Sequence, residues 1–161
     1  MTQSRTEAWP EPPLAATEAA TVLRATLGPS TVTLGGLLKR LAHTEDSHFA
    51  RLWLGSPVGL PWDTLDWDDN PDWDYRSAAE DTPEQLHALW QEAVDRSRAI
   101  VDKALTTGGL DQLGAYTTRS GARSNLRRIL LDLIEEYARH AVHADLIRES
   151  VDGLTGEDPP R

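Results

Sequence analysis

Glu136, His140 and His143 stand on a single helical stripe, and they are the residues of this chain with the clearest capacity for chemistry. Steps of three and four residues connect Leu126, Ile129, Leu133, Glu136, His140, His143 and Ile147. Both ends of that stripe are apolar, so the face belongs to a core. Its middle replaces core positions with a carboxylate and two imidazoles. Such groups cost several kcal/mol to bury unpaired. Something must therefore satisfy them. Neutral imidazoles beside a carboxylate suit a divalent ion such as Zn²⁺, Ni²⁺ or Fe²⁺. The same residues are equally consistent with a structural polar stripe, in which His140 and His143 hydrogen-bond to Glu136, Tyr137 or loop groups.

The elements that must position these residues read as helices. Residues 15–27 carry a modest helical pattern of three or four turns, broken by Gly28-Pro29-Ser30. A second helix begins near Thr33 and runs to about Leu54, with an apolar stripe through Leu34, Leu37, Leu38, Leu41, Phe49 and Leu52. Gly35 and Gly36, poor helix formers, fit its first turn through close packing. Residues 56–81 read as one long loop. It contains Trp62-Asp63, Trp67-Asp68 and Trp73-Asp74, and the expected arrangement is tryptophans pinned on the bundle with aspartates in water. Asp66, Asp68 and Asp69 lack the glycine and distal glutamate of a calcium loop. Thr82-Pro83-Glu84-Gln85 has the form of a capping box and starts a third long helix that ends at Gly108-Gly109. After a polar connection, the last helix runs from about Ser124 to Val151, with Gly153 as its stop. Long helices with few connections give an all-α antiparallel bundle. Residues 1–14 read as an extended arm, 15–157 as the domain and 158–161 as a tail.

Composition narrows the functions. The 161 residues suit one domain, and a net charge of −10 opposes nucleic-acid binding. Arg119, Arg123, Arg127 and Arg128 form a local basic group that reads as a solvated loop and helix start. With no cysteine there is no thiol nucleophile and no disulfide. No apolar run approaches the roughly 18 residues of a membrane span, and a cytoplasmic protein is expected. A G-x-S-x-G elbow, a P-loop and a dinucleotide fingerprint are all missing.

Four segments, LGGLLKRLAHTEDSHF (34–49), PDWDYRSAAEDTPEQL (71–86), RSRAIV (96–101) and LIEEYARHAVHADLIRESVDGLTGE (133–157), together resemble DinB/YfiT-like proteins. These include mycothiol- and bacillithiol-dependent S-transferases and maleylpyruvate isomerase. The resemblance implies an up-down-down-up four-helix bundle, with a divalent metal (Zn, Ni or Fe) held by one histidine of helix two and two last-helix ligands. It also implies a low-molecular-weight thiol as co-substrate and a small-molecule substrate. Carried over by position, the last-helix ligands fall on Glu136 and His140, with His143 next as ligand or general base. The helix-two place is taken by Arg40 in LLKRLA, and a guanidinium cannot ligate a metal. His43 is the substitute ligand, displaced by about 4–5 Å along the axis. Alternatively, Arg40 pairs with Glu136 and replaces the metal's charge, which leaves a metal-free binding protein. The first helix is shortened relative to the family, and the flank it exposes favours a homodimer. Three functions follow as expectations: a thiol S-transferase or related enzyme, a metal-free small-molecule-binding protein, or a helical oligomer with a structural stripe.

Overall fold

A computed structural model describes residues 16–156. The expected arm at 1–14 and tail at 158–161 lie outside the described residues. The chain folds as an all-helical bundle of the DinB-like kind, with α1 at Ala16–Leu23, α2 at Leu34–Asp46, α3 at Trp73–Ser77, α4 at Pro83–Thr107 and α5 at Leu126–Asp152. Among the described residues there is no strand, only an isolated bridge between Leu113 and Asn125.

The first helix is shorter than its sequence pattern. It stops at Leu23, where the backbone tightens into bonds from Arg24 N–H to Thr21 O (3.2 Å) and Ala25 N–H to Val22 O (3.1 Å). The Arg24 side chain is engaged elsewhere, donating to the Ala79 carbonyl at 2.8 Å.

The second helix starts where Thr33 predicts, its Oγ1 accepting the Gly36 N–H at 3.0 Å. Gly36 has no room for a side chain. A Cβ there would lie 2.8 Å from the Tyr75 Cα, so glycine lets α3 seat directly on α2. From Ser47 to Trp53 the helix continues as π-helix, closed by Leu54 N–H on the Phe49 carbonyl at 3.0 Å. Just upstream, side chains occupy backbone carbonyls: Thr44 Oγ1 donates to Arg40 O at 2.9 Å, and the His48 ring bonds Thr44 O at 2.8 Å. The helix opens to the wider repeat where that competition occurs.

Residues 56–81 do not form a structureless loop. Two short 3₁₀ turns, Trp62–Thr64 and Ala78–Glu80, flank α3 within it. Trp62 is 2 % exposed and packs with Ala42 and Ala93, bordered by Trp67, Trp73, Leu89 and Trp90. The expectation of solvated aspartates holds for Asp63, Asp66, Asp68 and Asp69 and fails for Asp74, which is fully buried.

The capping box on α4 is complete: Thr82 Oγ1 accepts Gln85 N–H at 3.2 Å, and Gln85 Oε1 accepts Thr82 N–H at 2.8 Å. The connection to α5 is ordered by backbone bonds to the end of the π-helical segment, Ala115 N–H to Trp53 O at 2.8 Å and Tyr116 N–H to Leu52 O at 3.2 Å. Arg127 and Arg128, from the basic group noted in the sequence, pair with Asp111 and Asp132. Asn125 caps α5 by accepting Arg128 N–H at 2.9 Å, and Gly153 ends it in the left-handed region at φ 72°. Phe49, Ala104, Leu126 and Ile129 form a second buried cluster, which holds the start of α5 against the π-helical segment and α4.

Candidate functional site

Arg40, Glu136 and His43 come together in a polar cavity of about 310 Å³ between α2 and α5, which Thr44, Ser47, His48, Asp132 and Glu135 also line. The helical spacing that places Glu136 and His140 on one stripe brings His140 Nε2 to 3.4 Å from Glu136 Oε2. That distance is within ion-pair reach, but the groups are not aligned as a hydrogen bond, and both His140 ring nitrogens are buried without a partner. Glu136 Oε1 accepts from Arg139 Nη1 at 3.0 Å on the outer side. Burial lowers the His140 pKa, against the opposing pull of Glu136 and with further lowering by Arg40. His140 is therefore a neutral imidazole at physiological pH.

Arg40 does not pair with Glu136. Its Nη1 donates to Asp74 Oδ2 at 3.2 Å, and its Nε is buried without a partner. Asp74 comes from α3, and nothing in its spacing or residue type singles it out from the other Trp-Asp pairs. Its neighbour Tyr75 packs on α2 at Gly36, outside the cavity lining, and burial first, then Asp74 and Glu136, raise its phenol pKa against a lowering by Arg40. The signal that points to both is Gly36 in α2, where the absence of a side chain lets α3 seat directly on that helix.

His43 lies against the tryptophan-rich segment. Its ring stacks on Trp67 at 4.2 Å with 2° between planes and sits 4.9 Å from Trp62. Burial, then the nearby cations Arg40, His48 and Arg51, lower its pKa from 6.5 to about 4. His143 is separated from this cavity. Its ring centroid is 5.7 Å from that of His140, but it lines a small pocket with Leu27, Ser30, Val32, Leu146 and Ile147.

The donor chemistry bears directly on the expected metal. Among the described residues no three His, Asp or Glu side chains converge as a metal-holding group. The helix-two position holds a permanent cation, and His140 lines an apolar pocket with Leu34, Leu37 and Leu41 rather than the polar cavity. As they stand, Glu136, His140 and His43 do not fit a three-ligand centre.

The His43 environment makes stability pH-dependent in a defined window. Above pH 6.5 both folded and unfolded chains carry a neutral ring, and the contribution is fully present. Between 6.5 and about 4 the unfolded chain binds a proton that the folded one refuses, so stability falls as pH falls. The loss assigned to His43 is on the order of 2 kcal/mol, allowing for partial solvent contact. Urea unfolding at pH 7 and pH 5 should show a smaller drop for His43→Phe than for the wild type, and equal drops would contradict the assignment.

Comparison with known proteins adds the family. The sequence pattern described as mycothiol-S-transferase matches residues 16–153, which spans all five helices of the bundle. The chain belongs to the mycothiol-S-transferase family. Nothing among curated proteins or solved structures matches it. The match includes the α2 and α5 residues that line the cavity and the α3 residue Asp74 that holds Arg40, which stands where the resemblance placed a helix-two histidine. No helix among the described residues is long and apolar enough to cross a membrane.

Proposed function

We propose that this mycothiol-S-transferase family member binds a low-molecular-weight thiol in the α2–α5 cavity and transfers it to a small electrophile, with Arg40 as the fixed positive charge beside the sulfur. The observation that carries the reading is Arg40 itself. A wholly buried carboxylate holds it at the cavity wall, and its buried Nε donor is left unused. A guanidinium lowers the cost of forming a thiolate next to it. Glu136 lines the same cavity and is the acceptor for the thiol proton, with the neutral His140 adjacent to it. The thiolate then attacks the electrophilic carbon, a C–S bond forms, and the leaving group departs with its electron pair and takes up the proton.

A metal-centred version would use Glu136, His140 and His43 as ligands and requires those side chains to converge, which no three His, Asp or Glu side chains do among the described residues. A binding protein without turnover is the second reading, favoured by the same Arg40–Asp74 pair because a charge fixed by a buried partner can hold an anion without chemistry. Mycothiol conjugation to monochlorobimane, followed by fluorescence in parallel with calorimetric titration of mycothiol and elemental analysis of the purified protein, separates the three. Conjugation above background that drops at least tenfold in Glu136→Gln, with no stoichiometric metal, supports transfer beside Arg40. Thiol binding without conjugation supports sequestration. About one zinc, nickel or iron per chain, lost in His140→Ala, would replace the Arg40 scheme with a metal-centred one.

A further inference from the structure

A cavity larger than the polar one lies elsewhere among the described residues. A groove of about 730 Å³ runs between α4 and α5 and is walled by apolar side chains, among them Phe49, Val94, Val101, Leu130, Leu133 and Ile134. Its volume falls in the range of small-molecule sites, which are mostly apolar with a few placed polar groups. Here the polar groups are also present. Glu45 lines the groove and is 4 % exposed. Its Oε1 accepts from Tyr137 Oη at 2.7 Å, and that phenolic oxygen accepts from Trp90 Nε1 at 2.9 Å. Its Oε2 is buried with no partner, and Ser97 Oγ, on the same wall, is buried with none either. A buried carboxylate with one of its oxygens unserved is an expensive arrangement unless a donor reaches it.

We propose that this groove is a second binding site, for a small molecule with an apolar body and a single cationic head, an ammonium or amidinium, that pairs with Glu45. The walls select the body and the unpartnered oxygen selects the head. A fatty anion would bring a second negative charge to a buried carboxylate. A neutral apolar molecule would leave Oε2 as it stands. Arg98 lines the groove too, but it is exposed, where solvent screens its charge. Trp90, Tyr137 and Glu45 are already linked before any ligand arrives, so the head would meet an oxygen held in place by that chain. The site does not depend on the thiol-transfer reading, and its test uses neither thiol nor electrophile.

The test compares three probes with the same alkyl chain, decylammonium, decanoate and 1-decanol, each below its micelle concentration. Each is titrated into the full-length protein at pH 7.5 with tryptophan fluorescence and calorimetry as readouts. Decylammonium should bind at least tenfold more tightly than decanoate, as a charge-assisted contact in a dry site requires. Glu45→Gln keeps an acceptor for Tyr137 and should reduce that preference to within about threefold. Should this variant fold poorly, Ile134→Trp fills the groove from its exposed rim, leaves the Glu45 contacts intact, and should abolish binding of all three probes. Equal binding of the ammonium and the carboxylate would overturn the proposal, as would an ammonium preference that survives Glu45→Gln. Light scattering that finds a dimer whose affinity Ile134→Trp abolishes, with no probe binding to the wild type, would assign the groove to a second copy of the chain and overturn it likewise.

Discussion

Arg40→Met should lower stability by about 3 kcal/mol, more than Asp74→Asn, which should cost about 1 kcal/mol. The asymmetry follows from burial. Arg40 keeps 34 % of its side-chain exposure, whereas Asp74 has none. Removing the guanidinium leaves a buried carboxylate that still accepts only the weakly placed N–H of its neighbour Tyr75, at 3.2 Å, among the described residues. Removing the carboxylate's charge leaves an arginine that water can still reach, and an amide oxygen in place to accept from it. The double variant should recover part of the Arg40→Met loss, because a buried pair deleted together leaves no orphaned charge. For a chain of this size about 3 kcal/mol corresponds to a melting-temperature drop of roughly 6–12 °C. Thermal unfolding followed by circular dichroism for the two single variants and the double checks all three values. If Asp74→Asn proves the more damaging, the pair does not exist to shelter Asp74. Because Arg40 also supplies the charge in the proposed reaction, Asp74→Asn is the informative variant for activity, as it keeps the fold while loosening the guanidinium.

What the sequence made legible was the part determined by local spacing. The capping box of α4, the Thr33 start of α2 and the Gly153 stop of α5 depend on groups within a few residues of one another, and each appears in the structure. The Glu136–His140 juxtaposition is likewise a property of one helix turn. Asp74 could not be found that way. It is one of three aspartates in Trp-Asp pairs, and only the seating of α3 against Gly36 separates it from its solvated counterparts. His143 shows the limit of a stripe, since three residues beyond His140 the helix has rotated toward a different pocket. Arg40 was identifiable as an anomaly, but its partner was not, because Glu136 and Asp74 are equally plausible acceptors until α3 is placed. The α4–α5 groove was hidden for a related reason. Leu131, Ile134 and Val142 lie off the core stripe and are 55 %, 63 % and 59 % exposed, and of the three only Ile134 lines the groove.

Trp62→Ala should be the most damaging single substitution in the chain, at about 4 kcal/mol or roughly 8–16 °C in melting temperature. Trp62 combines a large buried body with a polar tie. Its ring fills the space between Ala42 and Ala93, and its Nε1 donates to Asp46 Oδ2 at 3.1 Å. Asp46 also receives Arg96, through Nε at 3.1 Å and Nη2 at 3.0 Å, so α2, the tryptophan segment and α4 meet at one carboxylate. Trp62→Phe separates the two contributions. It retains most of the body and loses only the N–H, while Asp46 keeps Arg96, so the cost should fall to about 1–2 kcal/mol. A Phe variant as damaging as Ala would mean that the tie to Asp46, not packing, holds the segment. The consequence for the site is specific. Trp62 borders both His43 and Trp67, with ring centroids at 4.9 Å and 6.5 Å, and thereby steadies the stack that partly shields His43 from water. In Trp62→Ala more water reaches that ring, and the His43 pKa should climb from about 4 back toward 6.5, a change that NMR titration of the imidazole reads directly. A His43 that still titrates near 4 in the variant would show that Trp67 and the surrounding cations suffice, and that Trp62 supports the fold without shaping the cavity's chemistry.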